Sequence, residues 1–246
     1  MMRVGSNNQK IPWSVFEALL VFIIILSIKR ILPFPKIAWF NSLSKAISPG
    51  NVFLGQVFWN SLFVALFFFV LIGLILKLKY SLTWREVGLK QGAGKNWLTM
   101  GISQGILLFF IMTILVTMIS LFFPFEVEEQ AIVDIFKTAW GWRERFLCLL
   151  IVSVFAPFSE ELYFRGFLYP AVSKRRGKLP AVIITSIFFS FLHFDLVRFI
   201  PITLGGIWLN LLYIRTGSLY TSMVAHSVWN ALMISLLFYA QSAGIV

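Results

Sequence analysis

Unbroken apolar runs of roughly twenty residues dominate this sequence, and a run of that length without a regular polar interruption has one comfortable fate, a helix that crosses a bilayer. Hydrophobic residues make up 59% of the 246-residue chain and charged residues 13%, with a mean hydropathy of +0.87. A soluble core of this size has no use for so much apolar surface. An outer-membrane barrel would alternate over segments of about ten residues, and these runs do not. The expected fold class is therefore all-α, a polytopic transmembrane helical bundle in one domain spanning residues 1–246.

Seven spans are expected, with eight as the neighbouring count. They run over about Trp13–Ile28, Phe53–Leu76, Leu98–Phe123, Arg145–Val172, Leu179–Phe194, Phe199–Ile214 and Leu219–Tyr239. No small-residue cleavage site follows the first run, so it reads as an uncleaved span. The connection from Leu32 to Asn51 carries three prolines. Thr83–Leu89 is too polar to cross and suits the membrane interface. Glu126, Glu128, Glu129 and Asp134 form an acidic patch that leads to Trp140 and Trp142 at the other interface.

The formal charge of +11 resides mostly in short connections, the usual distribution for membrane topology rather than for nucleic-acid binding. Lys174, Arg175, Arg176 and Lys178 make a basic hairpin loop on the side that also holds the N-terminus. The positive-inside rule places both in the cytoplasm, with a plasma membrane of bacterial type as the setting. Cys148, the single cysteine, has no partner within the chain.

Against this background Glu160, Glu161 and Arg165 are costly. Ionisable groups in hydrocarbon face a bundle interior or a wet cavity and mark function. Pro157 is expected to kink their helix one turn earlier. The chain's two histidines, His193 and His226, also fall in apolar runs. At a rise of ~1.5 Å per residue, Glu160 lies roughly 21 Å from Lys174, His193 roughly 22 Å from Lys178, and Asn230 roughly 20 Å from Gly217. Three helices thus deliver polar groups to one depth, around an expected polar cavity.

Glu161 and Arg165 share a helix face and are expected to form a structural ion pair, which leaves Glu160 to face the cavity. Such a set suits peptide hydrolysis. Glu160, helped by His193, would deprotonate a water. His226 and Asn230, also four apart, would donate hydrogen bonds to the oxyanion. A zinc site on Glu160, His193 and His226 is the competing reading. HExxH spacing is absent, so metal-free catalysis with no cofactor is favoured. The residues alone also permit an interhelical packing role for each histidine, for Asn210 and for Asn230.

The motifs resemble those of the CPBP family of CaaX proteases and bacteriocin-processing enzymes, also called Abi. EExxxR is present as Glu160-Glu161-Leu162-Tyr163-Phe164-Arg165, FxxxH as Phe189-Ser190-Phe191-Leu192-His193, and HxxxN as His226-Ser227-Val228-Trp229-Asn230. Arg215-Thr216-Gly217-Ser218-Leu219 resembles the family's approach to the last motif. The resemblance covers about residues 143–236. It implies an intramembrane endopeptidase that cuts a membrane-associated or prenylated protein or peptide. In that assignment Glu160, His193, His226 and Asn230 are catalytic, and Glu161, Arg165 and Phe189 support them. Two other functions compete: an idle bacteriocin-immunity or binding protein on the same scaffold, and a small proton-coupled transporter. The transporter would call for paired broken helices in related halves, which are absent. An idle relative would have lost a motif residue, and none is lost.

Overall fold

The structure is a computed structural model, and it describes residues 11–31, 37–91, 96–122, 131–195 and 198–245. The Glu126–Glu129 part of the acidic patch lies outside them. The described residues are helical and joined by short turns, with no strand among them. In chain order the helices are α1 (Val15–Ile31), α2 (Ala38–Ile47), α3 (Val52–Lys79), α4 (Trp97–Phe122), α5 (Ala131–Lys137), α6 (Trp142–Arg176), α7 (Lys178–Phe191), α8 (Phe199–Thr216) and α9 (Leu219–Ser242).

Five of these, α3, α4, α6, α8 and α9, are long and apolar enough to cross a bilayer. The other two expected spans form shorter apolar helices, at Val15–Ile28 and in α7. The Leu32–Asn51 connection holds a helix that its prolines obscure. In α2, Phe40 and Ser44 form one buried face and sit directly on α3. A Cβ at Gly55 would come within 2.3 Å of the Ser44 carbonyl. Side chains such as Ile23, Phe110, Ile114 and Leu211 are more than half exposed, as expected of helix faces turned toward lipid.

The central element is α6. Half of its most apolar stretch is buried, against about a fifth for α3 and less for α4. Glu144 caps its start by accepting from the backbone N–H groups of Trp140 and Gly141, both at 3.2 Å. Two π-helical stretches, Ile151–Phe155 and Leu162–Leu168, interrupt its α-helical winding. Each ends shortly before a proline, Pro157 or Pro170. A proline ring lacks the N–H and crowds the carbonyl one turn earlier, and a wider turn relieves both problems. Pro157, where a kink is expected, lies just after the first of these stretches.

Backbone contacts hold the His226 helix, α9, against α4. The pair Gly101 and Gly105 faces the carbonyls of Thr221 and Ala225, where an added Cβ would sit 3.0 and 2.5 Å away. This is the small-xxx-small spacing that lets two helices approach closely.

One end of the bundle gathers the start of α1, the end of α3, the junction of α6 and α7, and the junction of α8 and α9. There Glu17 accepts from Lys79 at 2.9 Å and Tyr80 at 2.6 Å, and the Trp13 indole donates to the Phe167 carbonyl at 2.8 Å. Thr83–Leu89 forms a capped turn: Glu86 accepts from both the Thr83 amide (2.9 Å) and its hydroxyl (2.6 Å). Gly88, at φ +92, lies against the Tyr213 ring. Its carbonyl receives the Leu219 amide at 2.8 Å, which ties the turn to the first residue of α9.

Candidate active site

The polar centre is built on α6 where the second π stretch begins. Every residue from Glu161 to Val172 is buried. The expected ion pair is present, with Arg165 Nη1 2.9 Å from Glu161 Oε1 and both side chains fully buried. Glu161 has a second partner that spacing alone did not indicate. His226 Nδ1 lies 2.9 Å from the same Oε1, so one carboxylate oxygen serves both a guanidinium and an imidazole. Ser222, one turn before His226 and fully buried, lies beside this carboxylate. Continuing the His226–Asn230 stripe backwards by four would have pointed to it.

Arg165 is held on two further sides. Its Nη2 donates to the Gly206 carbonyl of α8 at 3.2 Å, and its guanidinium lies 4.7 Å from the centre of the Phe189 ring. Phe189 also meets His193 edge-on at 4.8 Å and His226 at 6.0 Å. It is the packing hub on which the arginine and both histidines converge.

Glu160 differs from its neighbour. Its side chain is 30% exposed, and its Oε2 stands 3.8 Å from His226 Nε2. That distance is too long for a direct hydrogen bond and suits a polar pair that shares a water. His226 thus lies between the two acids, with Nδ1 toward Glu161 and Nε2 toward Glu160.

His193 lies beyond the expected helix. α7 stops at Phe191, and His193 occupies the following turn, before Phe194 at φ +50. Its Nδ1 lies 2.8 Å from the Phe189 carbonyl. Both histidines therefore have Nδ1 committed to an oxygen, which fixes the neutral tautomer and leaves Nε2 available.

Asn230 Nδ2 donates to the Val152 carbonyl at 2.8 Å. The first π stretch explains why that carbonyl is available. Ala156 N bonds to Ile151 O in the five-residue register, so Val152 O would face the nitrogen of Pro157, which has no hydrogen. Asn230 fills that gap with one amide hydrogen and keeps a second.

Among the described residues, no three His, Cys, Asp or Glu side chains gather as metal donors. Glu160, His193 and His226 are not brought together as such a group.

The model of Type II CAAX prenyl endopeptidases, Rce1-like, matches residues 142–232. That range holds all three motifs and every side chain of the polar centre. This segment is similar to the Rce1-like, CPBP family. Two curated relatives extend the likeness. YdiL of Bacillus subtilis, described as a membrane peptidase, is 26% identical over 107 residues, 44% of this chain and 41% of that protein. CAAX prenyl protease 2 of Homo sapiens is 27% identical over 179 residues, 61% of this chain and 54% of that protein. The chain thus spans about half the length of the curated relatives it matches. No solved structure matches it significantly. Within the Rce1-like segment, α6, α7 and α9 supply one motif each, and α8 closes the polar centre through Gly206.

Proposed function

We propose that this protein is a CaaX-type intramembrane endopeptidase whose nucleophile is a water activated by Glu160. The observation that carries the reading is the placement of His226 between a half-open carboxylate, Glu160, and a sealed one, Glu161. A water in the Glu160–His226 gap gives its proton to Glu160 as its oxygen attacks the scissile carbonyl carbon. The resulting oxyanion takes hydrogen bonds from His226 Nε2–H, when the ring is protonated, and from the second Asn230 amide hydrogen. Collapse of the tetrahedral species breaks the C–N bond, and Glu160 passes its proton to the departing amine. His193 Nε2 helps hold the water. Glu161 and Arg165 keep the His226 ring in place.

The substrate is a membrane-embedded or prenylated tail, in keeping with the family match. The basic end bearing Lys174–Lys178 faces the cytoplasm under the positive-inside rule, and the N-terminus with it.

Purified protein incubated with prenylated and unmodified tail peptides, with and without chelator, tests this reading. Cleavage that survives chelator and disappears in Glu160→Gln is expected. Full activity in Glu160→Gln would sink the role of Glu160. Chelator-sensitive cleavage restored by zinc would replace the metal-free mechanism.

A further inference from the structure

Asn210 has no place in the three motifs, yet it is 1% exposed on α8 in the middle of the bundle. Burying an amide there is costly unless its hydrogen bonds are made. Its Nδ2 points at three oxygens: Ser186 Oγ at 3.0 Å, Thr185 Oγ1 at 3.3 Å and the Gly206 carbonyl at 3.1 Å. Thr185 spends its own hydroxyl hydrogen on the Ala181 carbonyl at 2.8 Å, so toward Asn210 it acts as an acceptor.

The Gly206 carbonyl is the acceptor that Arg165 Nη2 also uses. Two donors from different helices therefore share one oxygen, one of them the amide of Asn210 and the other the guanidinium that neutralises Glu161. Beside them, Asn210 Oδ1 and Arg165 Nε are buried without a partner among the described residues. An acceptor and a donor thus stand unspent in the same neighbourhood. Gly206 is pressed close to α7, where an added Cβ would be 3.1 Å from Ser186 Cβ. That places the Gly206 backbone directly against Ser186.

We infer that Asn210 is a positioning residue for the candidate active site: by fixing the Gly206 carbonyl between α7 and α8, it sets where Arg165, then Glu161, then the His226 imidazole come to rest. The chain of bonds runs Ser186–Asn210–Gly206–Arg165–Glu161–His226, and its last member stands 3.8 Å from Glu160. An amide that merely joined α7 to α8 would support the fold without affecting the state of His226.

The experiment uses the full chain in lipid nanodiscs, with histidine ring nitrogens labelled by ¹⁵N. The chain has two histidines, and His193→Gln assigns them. Asn210→Leu removes donor and acceptor together, while Asn210→Asp places a second acid beside Arg165 to compete with Glu161. Ser186→Ala, which removes one hydroxyl, carries the test if the larger changes fail to fold. In variants that melt as the wild type does, the His226 ring signals are expected to shift and those of His193 to stay in place. Unmoved His226 signals in every folded variant would overturn the inference. This readout needs no substrate, so it stands apart from the protease reading on which the activity arm rests. In that arm kcat is expected to fall roughly tenfold to a hundredfold with KM little changed, the scale of a misplacement of about 1 Å. A rise in KM alone would count against positioning.

Discussion

Glu160 and Glu161 are the same chemical group on adjacent residues of one helix, yet their surroundings have little in common. Successive helical residues point about 100° apart, and here that rotation separates a more open side of α6 from a sealed one. Glu161 is fully buried with Arg165 and His226 on one oxygen. Glu160 keeps nearly a third of its side-chain surface open and stands off from the same histidine. The pair teaches that a doubled carboxylate in a membrane helix need not be a doubled function. One acid can bond the imidazole that the other only approaches.

Substitution separates the two roles. The largest effect is expected from Glu160→Gln, which removes the proposed base and should lower cleavage by about 10²–10⁴-fold while leaving the melting temperature near that of wild type. Glu161→Gln should behave differently, because it leaves a buried guanidinium unpaired and costs about 3–5 kcal/mol of stability, read by chemical or thermal unfolding in detergent. Replacing both partners, Glu161→Leu with Arg165→Leu, should recover much of that stability without restoring cleavage. Equal destabilisation by Glu160→Gln and Glu161→Gln would dissolve the distinction.

The histidines sharpen the comparison on a smaller scale. His226→Gln removes a group bonded to the sealed acid and aimed at the open one, and should reduce kcat by about 10²–10³-fold, the range for losing an oxyanion donor. His193→Gln, at a site whose side chain meets the Phe189 carbonyl and ring and neither of the two acids in any described bond, should cost less. The reverse order would shift the catalytic burden to the α7 turn.

Away from the centre the effects shrink. Gly88→Ala forces a Cβ into the Tyr213 ring at positive φ and should cost about 1–3 kcal/mol, measured by unfolding. The smallest is a pH effect in the same turn. The hydrogen bond from Thr83 holds the Glu86 carboxyl below its ordinary range. Because its folded value is lowered, the stabilisation is fully present above the ordinary carboxylate pKa and is lost as pH falls through the lowered value. Amide exchange at Thr83 should accelerate over that acid window, and Glu86→Gln should flatten the profile.

Much of this arrangement was legible in the sequence because charge is expensive in hydrocarbon. Glu160, Glu161, Arg165 and both histidines stand out against apolar neighbours, and i,i+4 spacing yields the Glu161–Arg165 pair. Spacing within a helix says nothing about distances between helices, so the Glu161–His226 bond was not readable. Neither was the end of α7 at Phe191, since Leu192, His193 and Phe194 continue an apolar run that hydropathy alone would extend. The helix α2 was hidden by flanking prolines that lie outside it. Asn210 read as helix glue because its significance depends on a backbone carbonyl, which no side-chain pattern records.

The π stretches in α6 have a consequence for numbering. A π turn holds one residue more than the α turn it replaces, so each stretch behaves as a single-residue insertion that the helix absorbs without breaking. Residues 156–161 are bracketed by two such insertions. Deleting one residue from Ile151–Phe155 would let that stretch return to ordinary α winding, with the acids keeping nearly the facing they have now relative to the part of α6 before them. The facing of Glu160 is thus buffered against a change of count in that stretch, because the winding can take it up.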